Sequence, residues 1–526
     1  MKILIGLLVA GMLSQAQVTF ERIRHAEREP GNWLTYSGNY SSHRYSPLDQ
    51  INPENVKNLR PSWVYQIGAL DKAETTPLVV DGVMYITESP SNVTALDTRT
   101  GRVLWSFRRA VAKDVRICCG QVNRGVAVLD DLVFVGTLDA HLIALDAKTG
   151  SVRWDVTVAD YKTGHAITVA PLAVRDKVVV GIAGGEFGIR GFVDAYDART
   201  GKQAWRFWTI PAPGEPGHET WSGESWKKGS AATWITGSYD PDLNLVYWGT
   251  GNPGPDWNGD VRAGDNLYSD CVVALDADTG KLKWHFQFTP HDMFDWDSTE
   301  VPVLVNAPFR GRSRNLMLFA NRNGFYYVLD RESGEFLHGR AYIKQTWATQ
   351  LDDKGRPVPV PGVAPTEDGI KVYPHSAGGT NWFSPSFSPK TNLFYVAARE
   401  SGAMFYKGEA NYKVGAEYNG GGLRNLFGEP GTGAIRALEP TSGELRWEYP
   451  LITPPWAGVL STAGGLVFGG CDEGYFFALD ATSGKPLWRF QTGGKIVSSP
   501  MSYLSDGKQR VAIAAGHAIY AFALEE

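Results

Sequence analysis

Short runs of apolar residues, separated by glycine-containing turns, recur along most of this chain. Leu132–Gly136 and Leu245–Gly249 are two examples. Runs of this length that are rich in β-branched and aromatic residues predict strands rather than helices. Many are followed by one motif: an apolar pair, an acidic residue, a Thr-Gly or Ser-Gly turn, and usually a tryptophan. The motif predicts a β-hairpin whose turn is opened by the acid and completed by the glycine.

The hairpin motif is repeated seven times, and the two ends of the chain supply one further copy. The seven copies begin at Ala95, Ala144, Ala195, Ala274, Val328, Ala437 and Ala478. Residues 59–68 match the tryptophan-bearing second half of the motif, and residues 515–523 match its first half. Four short strands in each 40–50 residues, roughly, is the spacing of propeller blades. The pattern therefore predicts an all-β, eight-bladed propeller of four-stranded antiparallel blades, closed by pairing the N- and C-terminal strands, with residues 17–526 as one domain.

Three longer gaps between motifs interrupt this regularity. They cover residues 211–228, 345–379 and 405–433, and are rich in proline, glycine or aromatic residues. We expect loops on the rim of the propeller, where binding groups are commonly found. Plain surface decoration and a lid over a central site are both compatible with these segments.

Charge and the N-terminus bear on the compartment. The net charge of −5 is spread over well-mixed acids and bases, which argues against a nucleic-acid surface. Residues 1–16 have a positive start, a short apolar stretch and small residues before a cleavage point after Ala16, as in a signal peptide. That stretch is too short to span a bilayer, and no later segment is long and apolar enough. We expect an exported, periplasmic protein, in which disulfides persist.

The four cysteines form an unusual set. Cys118 and Cys119 are neighbours, whereas Cys271 and Cys471 lie in motifs far apart and are expected to be unpaired and buried. Neighbouring Cα atoms are about 3.8 Å apart, which strains a disulfide, so two free thiols and a bonded pair both remain open. No Cys-x-x-Cys-His motif occurs, so this chain does not attach a c-type haem.

Several polar residues do not belong to the repeat. Glu186, Asn252, Asp295 and Asp297 offer oxygen ligands of the kind that hard cations prefer. Taken alone, each of them is more typical of a turn-capping side chain than of a metal ligand. A second set offers planar donors and flat rings, namely Arg124, Arg322, Trp234, Asn381 and Trp382.

In combination these motifs resemble the pyrroloquinoline quinone (PQQ)-dependent methanol and ethanol dehydrogenases, over nearly the whole mature chain. The shared motifs are Cys-Cys-x-x-x-Asn-Arg, Gly-Gly-Glu-x-Gly, Gly-Thr-Gly-Asn-Pro, His-Asp-x-x-Asp, Asn-Arg-Asn-Gly and Gly-Thr-Asn-Trp, in the family's order. The resemblance implies that Cys118 and Cys119 form a vicinal disulfide on one face of the quinone, with Trp234 on the other. It further implies the following cofactor-binding residues: Glu74, Arg124, Thr168, Gly184, Gly185, Asn381, Trp382 and Arg322, the last donating to the reactive carbonyl.

The same resemblance implies a metal site and a reaction. Glu186, Asn252 and Asp295 would bind the metal. Asp297 corresponds to the second acid of lanthanide-using members, so one lanthanide ion is expected, with Ca²⁺ as the alternative. Asp295 would act as general base while hydride passes from a primary alcohol to the metal-bound quinone. A soluble c-type cytochrome would accept the electrons, and the sequence leaves monomer and homodimer open.

Two rival functions share part of this pattern. A PQQ-dependent sugar (aldose) dehydrogenase would keep the cofactor and change the substrate. A non-enzymatic propeller that serves as an assembly scaffold would keep the repeat but would not need the cysteine pair, Arg124 or the acids.

Overall fold

The computed structural model describes residues 17–68 and 72–525, so the expected signal peptide lies outside the described residues. Within this range the chain forms eight sheets built on four antiparallel strands each. In six of the sheets the four strands are consecutive along the chain, and a seventh keeps the same order with two strands of an insertion between its second and third strands. Each motif forms a hairpin, as predicted, and the structure shows that this hairpin is the third and fourth strand of its sheet.

The eight sheets are numbered in chain order, and their strands are given by residue range. Sheet 1 contains Leu78–Val80, Val83–Glu88, Asn92–Asp97 and Val103–Phe107. Sheet 2 contains Ala127–Leu129, Leu132–Gly136, His141–Asp146 and Val152–Thr157. Sheet 3 contains Leu172–Val174, Lys177–Gly181, Phe192–Asp197 and Gln203–Trp208. Sheet 4 contains Ser238–Asp240, Leu245–Gly249, Cys271–Asp276 and Leu282–Gln287.

The second half of the chain continues the same order. Sheet 5 contains Val303–Phe309, Arg312–Ala320, Phe325–Asp330 and Phe336–Ala341. Sheet 6 contains Ser386–Ser388, Leu393–Glu400, Thr432–Leu438 and Leu445–Leu451. Sheet 7 contains Leu460–Thr462, Leu466–Gly470, Tyr475–Asp480 and Pro486–Gln491, with Tyr45–Ser46 added in parallel to the first.

Sheet 8 joins the two ends of the chain. It contains Met501–Ser505, Lys508–Ala515 and Ala518–Leu524, and its fourth strand is Leu59–Gln66 from the N-terminal part. Leu59 pairs with Leu524 and Gln66 with Ala518, in antiparallel register. The predicted pairing of the two terminal segments is therefore present.

Little helix accompanies the sheets. The one α-helix of the described residues is Phe20–Arg24, and no helix in these ranges is long and apolar enough to cross a membrane. Seven short 3₁₀ helices lie in connections: Ala26–Arg28, Val56–Asn58, Tyr161–Thr163, Gly185–Phe187, His218–Thr220, Ser225–Lys228 and Gly259–Val261. Repetition of four-stranded antiparallel sheets with almost no helix is the organisation of a β-propeller.

Tryptophans of the motif pack most of the sheets against the next one, and Tyr326 takes this place on the Gly443 turn of sheet 6. The Trp105 indole donates to the Ala147 carbonyl at 3.0 Å and lies on the Gly150 turn of sheet 2. Trp63 of sheet 8 donates in the same way to the Thr98 carbonyl in sheet 1. Glycine is required at these turns because a side chain would meet the ring. The first three strands of a sheet are largely buried, and the fourth alternates toward solvent.

Two of the three long insertions are more ordered than the sequence predicted. Ala348–Leu351 pairs with Pro357–Pro359, and Ala403–Lys407 lies between Ile370–Val372 and Gly421–Asn425 in a three-stranded sheet. The prediction of plain loops was wrong here, because backbone pairing between two insertions cannot be seen in either segment alone.

Candidate active site

One cavity of about 610 Å³ brings all the predicted site residues together. It is lined by Glu74, Cys118, Cys119, Arg124, Thr168, Gly184, Gly185, Glu186, Trp234, Asn252, Asp295, Asp297, Arg322, Asn381 and Trp382. These residues lie in the connections next to six of the sheets, and the first and last of them are 308 positions apart in the sequence.

Strand direction explains why such distant residues meet. Glu74, Thr168, Trp234 and Trp382 each lie four residues before the first strand of a sheet. Other side chains follow the second strand of a sheet, as Asn252 does after Leu245–Gly249. Because antiparallel strands alternate in direction, the start of the first strand and the end of the second lie at the same edge. The repeat therefore presents both groups of residues at one end of the sheets.

The two adjacent cysteines are bonded to each other, which confirms the vicinal disulfide. An oxygen of Glu186 and the two sulfurs all lie within 4.8 Å of one another, so the disulfide borders the acidic part of the cavity. Cys271 and Cys471 are unpaired and buried, as expected. In the described part of the chain, the disulfide is therefore a feature of the cavity wall rather than a link between sheets.

Arg124 offers unused donors to the cavity. Its Nη2 lies 2.7 Å from Glu74 Oε2, and its guanidinium is 4.9 Å from the ring centre of Trp234 and 4.8 Å from that of Trp382. Among the described residues, no hydrogen-bond partner contacts its buried Nε and Nη1. Two buried, unpaired guanidinium donors between flat rings fit an aromatic ligand that carries carboxylates.

Arg322 and Asp297 form the centre of the polar side of the cavity. Arg322 Nη1 lies 2.6 Å from Asp297 Oδ2, and its Nη2 lies 3.7 Å from Asp295 Oδ1. The other donors to Asp297 are the Trp234 indole, at 3.2 Å, and the backbone N–H of Asn252, at 2.9 Å. These contacts link a stacking residue, an arginine and an amide through one carboxylate.

The acid cluster, defined as Glu186, Asp295 and Asp297, carries more negative charge than the single positive charge of Arg322 balances. Burial, helped by Asp297, raises the pKa of Glu186 to about 7. Burial also raises the pKa of Asp295 well above its ordinary value, although Arg322 opposes the shift. These buried or part-buried carboxylates line the same cavity as the Asn252 amide, and oxygen groups of these types fit a hard cation, which would stabilise the ionised carboxylates.

Sequence reasoning missed two contributors to this site. Asp256 is buried and accepts a hydrogen bond from Asn252 Nδ2 at 2.8 Å. The Ser376 carbonyl accepts from Arg322 Nε at 3.2 Å and from Nη2 at 2.5 Å. In the sequence Asp256 looks like any other loop aspartate, and a backbone carbonyl leaves no signal at all.

Comparison with known proteins identifies the class. The family model described as the β-propeller domain of glucose, ethanol and alcohol dehydrogenases matches residues 33–341. A second model, described as outer membrane protein assembly factor BamB, matches residues 431–526. Quinoprotein alcohol dehydrogenase PedH of Pseudomonas putida is 40% identical over 542 residues, covering 98% of this chain and 91% of PedH.

Two further relatives concern the metal. The lanthanide-dependent methanol dehydrogenase of Methylacidiphilum fumariolicum is 39% identical over 543 residues, covering 96% of this chain and 88% of that protein. A solved europium-containing methanol dehydrogenase superposes with a TM-score of 0.91 at 35% identity, covering 96% of this chain and all of that one.

Fold, cavity and relatives together define a quinoprotein dehydrogenase built on a β-propeller. The chain belongs to the PQQ-dependent alcohol dehydrogenase family, and it is an enzyme that oxidises alcohols with PQQ and a metal ion. The non-enzymatic scaffold considered from the repeat alone was therefore wrong.

Proposed function

We propose that this protein is a periplasmic, lanthanide-using dehydrogenase of primary alcohols. The observation that carries the proposal is the acid cluster, in which Asp295 and Asp297 both lie beside Arg322 at the wall of the cavity. In this proposal Asp295 serves both the alcohol proton and the cation, and Asp297 adds a further negative charge for the cation.

The cofactor is held, in this proposal, between the vicinal disulfide and Trp234. Arg124 pairs with a cofactor carboxylate through its unused Nε and Nη1 donors, while Glu74 fixes the guanidinium from the other side. The remaining polar contacts come from Thr168, the backbone at Gly184 and Gly185, Asn381 and Trp382, with Arg322 donating to the reactive carbonyl. When bound, the quinone accepts the two electrons that leave the alcohol.

The metal ligands in this proposal are Glu186, Asn252, Asp295 and Asp297. Three carboxylates match the charge of a trivalent ion, whereas calcium would leave one negative charge in excess before Arg322 is counted. A hard, oxygen-only ligand set accommodates either ion, so charge rather than ligand type favours the lanthanide.

Asp295 is the proposed general base. Its Oδ1 takes the proton of the alcohol hydroxyl, and the guanidinium of Arg322 at 3.7 Å favours the ionised carboxylate that this step needs. The Arg322 guanidinium is itself held by the Ser376 carbonyl. This arrangement keeps base and cation-binding groups in one orientation toward the substrate.

The eight sheets are proposed to be the blades of one closed ring, which forms a single domain over residues 17–526. Two contacts support closure: the antiparallel pairing of Leu59–Gln66 with Ala518–Leu524, and the packing of Trp63 from sheet 8 on the Gly101 turn of sheet 1. The N-terminal segment also forms backbone hydrogen bonds with two first strands, from Trp33 to Val79 in sheet 1 and from Phe387 in sheet 6 to His43. These bonds further support closure of the ring. In a closed ring of blades the remaining sheet edges are short and protected.

Export and electron transfer complete the proposal. The signal-like sequence of residues 1–16 and the vicinal disulfide both favour the periplasm, where disulfides persist. A soluble c-type cytochrome is the proposed electron acceptor, since the sequence contains no haem-attachment motif.

The experiment is reconstitution of the apoprotein with PQQ and either La³⁺ or Ca²⁺, followed by dye-linked assays with methanol, ethanol and glucose. We expect alcohol oxidation that is faster with La³⁺. The variant Asp295→Asn should lose about 10²–10⁴-fold in turnover. It should fold normally, because Asp295 has a φ of 59° and asparagine tolerates that region well. Glucose oxidation without alcohol oxidation, or an active Asp295→Asn enzyme, would contradict the proposal.

A further inference from the structure

Asp256 lies behind the proposed metal site rather than in it. The residue follows Asn252 by four positions in the loop after Leu245–Gly249, and only 4% of its surface is exposed. In the described part of the chain, Asn252 lines the cavity and Asp256 does not. A buried carboxylate in this position contacts a proposed ligand without facing the ligand site itself.

The contact between the two residues fixes which end of the Asn252 amide faces the cavity. Asn252 Nδ2 donates to Asp256 Oδ1 at 2.8 Å and approaches the Pro253 carbonyl at 3.5 Å. Because Asp256 Oδ1 is the acceptor in this contact, the NH₂ end of the amide is turned toward Asp256 and the Oδ1 end away from it. Among the described residues no donor contacts Asn252 Oδ1, which leaves that oxygen for a ligand.

Hydrogen bonds hold the backbone of Asn252 in place, so only the orientation of its side chain remains variable. Its N–H donates to Asp297 Oδ1 at 2.9 Å, and its carbonyl accepts from Ala231 N at 3.0 Å. The fully buried Arg262 donates to the Pro255 carbonyl through Nε at 3.2 Å and Nη2 at 3.0 Å. The loop that carries Asp256 is therefore anchored immediately before that residue.

We propose that Asp256 is a positioning residue that holds the Asn252 amide with its oxygen, not its NH₂ group, toward the metal. Without Asp256, the amide is free to rotate by 180° about its last torsion and to present two N–H donors to a cation. The inference rests on the metal site of the proposed function and adds the residue that makes Asn252 a ligand. Partners of this kind, which orient a metal ligand, typically change metal affinity by about 10–100-fold.

The test is a double-mutant cycle on terbium binding to the PQQ-loaded protein. Terbium luminescence is excited through tryptophan, and Trp234 lies next to the site through its contact with Asp297. We expect Asp256→Ala to weaken binding by roughly tenfold or more in the wild-type background. In the Asn252→Ala background the same change should have little further effect, because Asp256 acts through Asn252.

A second readout reports ligation directly. Europium luminescence lifetimes in H₂O and D₂O count the water molecules on the ion, and both Asp256→Ala and Asn252→Ala should add about one water, since a protein oxygen is lost. The variant Asp256→Asn keeps an oxygen that accepts from Nδ2, so its water count should stay close to that of the wild type. The exposed Asp242, changed to asparagine, is the matched control for loss of one carboxylate.

The outcomes separate the inference from the proposed function. Additive losses in the cycle, an unchanged water count in Asp256→Ala, or an equal loss in Asp256→Asn and Asp256→Ala would each overturn the positioning role. Failure of the wild-type protein itself to bind terbium would instead overturn the metal site, and this inference with it. Apoprotein thermal unfolding shows whether each variant is folded.

Discussion

The second acid of the proposed metal site, Asp297, offers the sharpest test of cation choice. The perturbation is Asp297→Asn, which removes one negative charge and keeps the size of the side chain. In the wild type both carboxylate oxygens are already engaged, by Asn252 N at 2.9 Å and by Arg322 Nη1 at 2.6 Å. Asparagine retains an acceptor for one of these donors, so the main change is electrostatic.

The magnitude follows from the difference in charge between the two ions. A unit charge pair about 4 Å apart contributes about 4 kcal/mol at an effective dielectric constant of about 20. A trivalent ion gains one such unit more than a divalent ion from the same carboxylate. Asp297 is only 7% exposed, so solvent screens this term weakly. Since about 1.4 kcal/mol is a factor of ten, Asp297→Asn should lower the preference for La³⁺ over Ca²⁺ on the order of a thousandfold.

The assay is competitive titration of the PQQ-loaded protein with La³⁺ and Ca²⁺, reported as the ratio of the two affinities. Both ions bind the same metal-free protein, so any rearrangement around Arg322 cancels in the ratio. Asp242→Asn, an exposed change, is the control. An Asp297→Asn ratio equal to that of the wild type would refute the charge argument, whatever happens to the individual affinities.

Three further outcomes follow from the fold and the cavity. Gly150→Ala should lower the free energy of unfolding in urea by more than the cost of a left-handed alanine, about 1–2 kcal/mol, because the new Cβ would lie 2.4 Å from the Trp105 ring. Gly465→Ala is the control for the backbone cost alone, since Gly465 has a φ of 80° and open space around it. Replacing the Cys118–Cys119 pair by serines should weaken PQQ binding, measured by absorbance titration, and leave thermal unfolding unchanged, since the bond closes no long loop. Burial lowers the pKa of His43 to about 4, below its unfolded value of about 6.5. The contribution of neutral His43 to the free energy of unfolding should therefore be fully present above pH 6.5 and should be lost as the pH falls toward 4, and His43→Gln should reduce this pH dependence.

Each of these three predictions has a result that would contradict it. For the turn, that result is a Gly150→Ala protein as stable as the Gly465→Ala control. For the cysteine pair, it is a serine variant that binds PQQ as tightly as the wild type. A urea midpoint independent of pH between 7 and 4 would contradict the assignment of His43 as neutral in the folded protein.

The amino-acid sequence was sufficient for the repeat and for the chemical types at the site. Local patterns determine both: apolar runs specify strands, the acid and glycine specify each turn, and Glu186, Asn252 and Asp297 stand out because the repeat does not need them. The pairing of residues 59–66 with 518–524 was also accessible, since each half of the motif lacks its partner locally.

Contacts that depend on orientation could not be predicted in this way. Pairing between insertions brings Ile370–Val372 beside Ala403–Lys407, and no local pattern encodes which edge meets which. Arg322 donates to the backbone carbonyl of Ser376. Every residue has such a carbonyl, so this contact cannot be inferred from residue types. Asp256 is an ordinary loop aspartate in sequence, and only its distance to Asn252 Nδ2 gives it a role.

The order of residues alone thus specified the propeller pattern, the cysteine pair and the set of acids and arginines from which the site is built. The folded chain was needed to show that Arg124 keeps two donors free between Trp234 and Trp382, and that Asp256 turns the Asn252 amide. The physical reason is that strand periodicity and turn chemistry act over a few residues, whereas hydrogen-bond direction and shared burial of charge arise between sheets that meet only after folding.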